Sequence, residues 1–123
     1  MSASSVRAAH LLIKHTGSRN PVSRRTNQTI TTPPEMAYQE LQQYEQSILQ
    51  QVNNEGVDLG SIFRQYASDR SDCSSYQHGG DLGEFTRGQM QRPFEDAAFA
   101  LQPGQMSIIV STDSGYHLIY RIS

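Results

Sequence analysis

The chain's one cysteine and two of its four histidines, Cys73, His10 and His117, have side chains suited to metal, nucleophilic or proton chemistry, and they lie far apart. Neutral imidazole and thiolate both ligate zinc, and a zinc site wants four ligands or three with an open position. The chain has no Cys-x-x-Cys or His-x-x-x-His pair to anchor such a site. A thiol next to a histidine is also the start of a nucleophile for acyl transfer. No oxyanion-hole motif accompanies this one. A lone histidine on a strand is more often a hydrogen-bonded core group than a catalyst, so the three residues carry chemistry only if the fold brings them together.

Two further sets have a chemical bias. The first 34 residues hold Arg7, Lys14, Arg19, Arg24 and Arg25 and no acid, whereas all twelve acids lie from Glu35 onward and Lys14 is the only lysine. A basic segment on a chain of net charge −2 suits a local anionic ligand, not bulk attraction to nucleic acid. A solvated loop with its arginines in water is the plain alternative. The second set runs from Gly79 to Ala100. Gly79, Gly80, Gly83 and Gly88 supply backbone freedom, while Leu82, Phe85, Met90 and Phe94 supply bulk. Such a loop either caps a core or walls an apolar pocket.

The elements that must position these residues can be read from periodicity. Residues 6–14 alternate as a strand, with Val6, Ala8, His10 and Leu12 on one face and Arg7, Ala9, Leu11 and Ile13 on the other. Both faces are largely apolar, which predicts a central strand covered on both sides. Residues 15–31 form a long aperiodic loop. Thr32-Pro-Pro-Glu35 predicts a helix capped by Thr32, with Ala37, Leu41, Tyr44, Ile48 and Val52 inward and an end at Asn53–Gly56. Asp58 caps a second helix carrying Leu59, Ile62, Phe63, Tyr66 and Ala67 inward. Residues 68–81 read as a polar loop with one helical turn near Cys73. Leu82–Phe85 is a short strand, Gln91–Leu101 a short helix, Met106–Ser111 a strand, Asp113–Gly115 a hairpin turn and Tyr116–Ile122 the last strand. That order predicts one α+β domain around a four-stranded sheet, with Met1–Ser5 a disordered lead-in.

With 123 residues the chain is one domain able to build a single core. No run approaches a membrane span. The opening residues lack a signal-peptide pattern and the one cysteine cannot form an internal disulfide, so an intracellular setting is expected.

Ordered motifs from Val6 to Ile122 resemble the parvulin peptidyl-prolyl cis/trans isomerases. They are Gly80-Asp-Leu-Gly83, Phe85-Thr-Arg-Gly-Gln-Met90, Pro93-Phe-Glu95 and Phe99-Ala-Leu101. Val6–His15, Ser71–Ser75 and Thr112–His117 are similar to the phosphoSer/Thr-Pro-directed, Pin-type members. The resemblance implies an FKBP-like fold of order βαααβαββ, a mainly antiparallel sheet with about four helices. It implies paired histidines, His10 and His117, in the floor of a site with Thr112 in their network and Cys73 and Ser114 along the scissile-free bond. Leu82, Met90, Gln91 and Phe94 match the proline pocket, and Lys14 and Arg19 the phosphate-binding positions. Asn20 stands where a second arginine is usual, and Arg24 or Arg25 is expected to compensate.

Isomerisation of an X–Pro bond faces a barrier of about 20 kcal/mol from amide resonance, so no bond need break. A dry cup for the ring and a few polar groups near the bond suffice, and the resemblance implies that Cys73 lies beside the proline pocket and acts non-covalently. The resemblance implies no cofactor and no metal, a monomer, no nucleic-acid or membrane partner, and phosphorylated Ser/Thr-Pro segments as substrate, with the RNA polymerase II C-terminal repeat one candidate. It implies residence in nucleus and cytoplasm and a link to transcription and the cell cycle. Pin-type enzymes often carry a WW domain, and nothing here matches one: tryptophan is absent. The alternative from another class is a phosphopeptide-binding module with little catalysis.

Overall fold

The computed structural model describes residues 4–123. Its axis is β1 (Ser5–Ile13), which is buried without interruption from Ala8 to Ile13. Antiparallel neighbours complete a sheet of order β2 (Asp81–Thr86), β1, β4 (Gly115–Arg121) and β3 (Val110–Thr112). Strand alternation divides the core in two. Ala9, Leu11, Ile13 and Leu118 pack under α1 (Pro34–Glu55) and α2 (Leu59–Arg70) through Ala37, Leu41, Ile48 and Phe63. Val6, Ala8 and Ile119 pack on the other face against Phe85 and, from α3 (Arg92–Ala100), Phe94 and Ala98. The two-sided central strand expected from the sequence is therefore present.

Several boundaries differ for identifiable reasons. Thr32 does not cap α1: the cap is Pro33, extended at ψ 155°, with no side-chain hydrogen bond. A residue before proline is kept out of the helical region, and Pro34 follows, so the helix starts one residue later than the capping pattern suggests. At its other end Gly56 takes φ 67°, as the expected stop requires. Asp58 does cap α2, accepting from the Ser61 N–H at 2.9 Å. That helix runs to Arg70, into the segment read as loop, and a 3₁₀ helix at Ser74–His78 begins just after Cys73. Among the described residues the helices are thus three α-helices and one 3₁₀ turn.

The strand expected over Met106–Ser111 is reduced to β3 and an isolated bridge from Met106 to Tyr120. Ser107 interrupts the ladder on one side: its N–H still donates to the Ile119 carbonyl at 2.8 Å, but its hydroxyl, which donates to the Ile108 carbonyl at 2.7 Å, takes the Ile119 N–H at 3.0 Å in place of a backbone carbonyl. Ser5 is already paired with Thr86, so the expected lead-in is shorter by that residue; residues 1–3 lie outside the described part. Among the described residues no helix is long and apolar enough to cross a membrane.

Candidate active site

Register explains how residues 107 positions apart meet. In the β1–β4 pairing His10 lies opposite Ile119 and Leu12 opposite His117. His10 and His117 are therefore diagonal neighbours on one face, close enough for side chains to touch. Their rings stack with centroids 5.2 Å apart, and Nδ1 faces Nδ1 at 3.0 Å. Phe94 meets both rings edge-on, at 5.5 Å from His10 and 5.1 Å from His117. Gly80 seats the arrangement from below: its carbonyl accepts the His10 N–H at 2.9 Å. Its φ is 81°, and a Cβ there would stand 2.4 Å from the His10 carbonyl oxygen, so only glycine fits.

The chain of hydrogen bonds continues to Thr112, whose hydroxyl lies 2.7 Å from His117 Nε2 and accepts the Ser114 N–H at 3.1 Å. Thr112 sets the direction of the whole chain. If its hydroxyl donates to His117 Nε2, His117 donates from Nδ1 and His10 carries its proton on Nε2. If it accepts, the order reverses and His10 Nε2 is a bare lone pair. Burial and the neighbouring His10 hold the His117 pKa well below the ordinary imidazole value, so this ring stays neutral.

Above the histidines opens a cup of about 110 Å³ lined by His10, Leu82, Met90, Gln91, Phe94, Ser114 and His117. Every proline-pocket residue expected from the sequence lines it. Gln91 ties the rim together, donating from Nε2 to Ser114 Oγ at 2.8 Å and accepting the Asp113 N–H at 3.0 Å. Because Ser114 Oγ already accepts from Gln91, its own proton is free to donate into the cup.

Beside the cup lies a second cavity of about 230 Å³ lined by Leu12, Lys14, Arg19, Asn20, Arg24, Cys73, Ser74 and Ser114. Arg19 and Arg24 are exposed there, whereas Lys14 is buried. The Lys14 ammonium donates to the carbonyls of Asn20 at 3.0 Å and Val22 at 2.7 Å, so the loop is wound around it. Desolvation and the charge of Arg24 lower its pKa, and nearby Asp72 opposes them. Of the two arginines expected to compensate for Asn20, Arg24 lines this cavity, and so does Asn20 itself. Arg25 does not line it; it sits where its charge helps hold the Glu40 carboxyl low, after the stronger effect of Arg70.

Cys73 lines the cation cavity and not the cup, and it is half-buried. Burial pushes its thiol up, but interaction with His10 and hydrogen bonding at Ser75 outweigh that and bring it down to about 6. His10 Nε2 is buried with no hydrogen-bond partner of ordinary geometry. These contacts favour a thiolate at Cys73 beside the His10 ring. Among the described residues no group of three or more His, Cys, Asp or Glu is placed to hold a metal ion.

A family model described as the rotamase, PPIC-type PPIase domain matches residues 10–123. The chain is a PPIC-type peptidyl-prolyl cis/trans isomerase. Within that family the isomerase is Pin1-like. It is 48% identical over 118 residues to the peptidyl-prolyl cis-trans isomerase NIMA-interacting 1 of Theileria annulata, covering 96% of this chain and 80% of the relative. It is 44% identical over 123 residues to Pin1 of Arabidopsis thaliana, covering 98% and 97%. Among solved structures, the isomerase ESS1 from Candida albicans superposes with a TM-score of 0.84 at 39% identity, over 98% of this chain and 63% of that one. The parvulin fold and the isomerase activity expected from the motifs are thereby established. What sequence reasoning missed is the residue before the cysteine: Asp72, buried under the cation loop, whose only sequence signal is its place in Ser71-Asp72-Cys73.

Proposed function

We propose that this isomerase acts on phosphoSer-Pro and phosphoThr-Pro bonds. The carrying observation is that Ser114 lines both cavities, so the cation site and the apolar cup share a wall. Adjacent residues of one peptide fill adjacent sites. A phosphate with about −1.5 to −2 charge meets Arg19, Arg24 and the remaining donor of Lys14. The following proline ring enters the cup against Leu82, Met90 and Phe94.

The bond between them then spans Ser114, His10 and Cys73. A planar amide places negative charge on its oxygen, and a twisted one returns that charge to nitrogen. The cup excludes water and so disfavours the more polar planar form. A Cys73 thiolate near the carbonyl repels the resonance charge on oxygen. The free Ser114 proton donates to the nitrogen lone pair that appears as the bond turns. No group is transferred, and the histidine chain supports the charge on Cys73 without leaving its place.

The experiment is NMR exchange spectroscopy on matched peptides differing only in phosphorylation of the residue before proline. The reading requires faster cis/trans exchange per enzyme for the phosphorylated peptide. Equal acceleration of phosphorylated, Glu-Pro and Ala-Pro peptides would remove the phosphate from the assignment.

A further inference from the structure

We propose that Asp72 is a positioning residue for substrate selection: without touching substrate, it clamps the cation loop to β1 and so sets how strongly the enzyme prefers an anion before proline. The inference rests on the phosphate reading above. Asp72 is 1% exposed, yet it links three parts of the molecule. Its Oδ2 accepts the Lys14 N–H at 2.9 Å, at the end of the central strand. Its Oδ1 accepts from Ser23 Oγ at 2.8 Å, in the loop, and from Arg70 Nη1 at 3.0 Å, at the end of α2. Its backbone repeats the link, donating to the Leu12 carbonyl at 2.8 Å and accepting the Arg24 N–H at 2.9 Å. The next residue is Cys73, on the wall of the same cavity.

A buried carboxylate is tolerated only when its oxygens are fully partnered, and here the partners decide what it does. Arg70 supplies the compensating charge and is itself forked onto Glu40 at 2.6 and 3.2 Å. Ser23 supplies the loop contact, and its hydroxyl also accepts the N–H groups of Arg25 and Thr26 at 3.2 and 3.3 Å, closing the turn. Ser23 stands between Arg19 and Arg24. Fixing it holds those two guanidinium groups at one spacing before substrate arrives, which removes an ordering cost from binding.

The direction of the effect separates this role from plain electrostatics. Asp72 is a negative charge close to Lys14. Replacing it by asparagine removes a repulsion, so charge alone makes Asp72→Asn bind phosphopeptide more tightly. A clamp makes it bind more weakly, because an amide cannot accept from Lys14 and Ser23 at once without turning its NH₂ toward a donor.

The test measures kcat and KM for wild type, Asp72→Asn and Ser23→Ala on phosphoSer-Pro and Ala-Pro peptides, with amide hydrogen exchange of the ligand-free proteins. The expected result is a fall of about tenfold in the phosphoSer-Pro to Ala-Pro ratio of kcat/KM for Asp72→Asn, carried by KM. Ser23→Ala should fall in the same direction by less. The Arg24 and Asn27 amides should exchange faster in both, while α1 amides hold. Ser23→Ala leaves the Lys14 and Arg70 contacts in place, so it carries the test if Asp72→Asn does not fold. A ratio that is unchanged or raised in a folded variant overturns the proposal. A wild type with no preference for the phosphorylated peptide overturns the phosphate reading instead, and the wild-type arm shows which has failed.

Discussion

His10 and His117 confront each other through Nδ1 atoms 3.0 Å apart, so a single proton occupies the space between them. The pair is neutral on the His117 side, since that ring is held well below its ordinary pKa by burial and by His10. A base whose pKa is lowered on folding contributes stability that is complete above its unfolded value, about 6.5, and is lost as pH falls below it. Thermal melts should therefore show stability declining from about pH 6.5 downward. His117→Phe should flatten this dependence. A pH profile identical in wild type and variant would rule out a buried neutral His117.

Cys73 should react as a thiolate near neutrality. Its alkylation by iodoacetamide is expected to titrate with a midpoint of about 6. Because His10 supplies the lowering, His10→Gln should move that midpoint up toward the ordinary thiol range. Cys73→Asp, which keeps a negative charge without a thiol, should keep part of the isomerase turnover, since the thiol is proposed to act by its charge and not by forming a bond. Complete loss in Cys73→Asp, with the fold intact, would favour a covalent role.

Lys14 and Arg19 should behave differently although both line the cation cavity. Arg19 is exposed, and Arg19→Ala is expected to raise KM for phosphopeptide with little change in melting temperature. Lys14 also satisfies two loop carbonyls, so Lys14→Ala should raise KM and destabilise the protein as well, by about 1–3 kcal/mol for the acceptors left without a donor. Arg25→Ala, outside the cavity, should leave the phosphopeptide KM near wild type. Equal kinetic effects for all three would contradict this division.

Gly80→Ala should be among the most damaging single substitutions. It places a side chain at φ 81° and 2.4 Å from the His10 carbonyl oxygen, adding steric overlap to a backbone strain of about 1–3 kcal/mol. Chemical denaturation should show a loss exceeding that strain. Gly83→Ala, also at positive φ but with open space around it, should cost less and serves as the control.

Much of this molecule was legible in the chain because local chemistry fixes it. Alternation along Val6–Ile13 placed its apolar side chains on the faces where they are found, and Gly56 stopped one helix and Asp58 started the next as their types demand. The ordered motifs named the family and the cup residues. Three things were decided only by the tertiary structure. The diagonal register of β1 and β4 joins His10 to His117, and a pairing between strands far apart in sequence leaves no trace in either. The burial of Lys14 made a residue expected at a phosphate-binding position also the post around which its loop winds, because the carbonyls it meets belong to a chain path that composition does not specify. Asp72 looked like one polar residue among many in a soluble loop; only the packing of loop, strand and helix around it made its carboxylate the point where they are fastened.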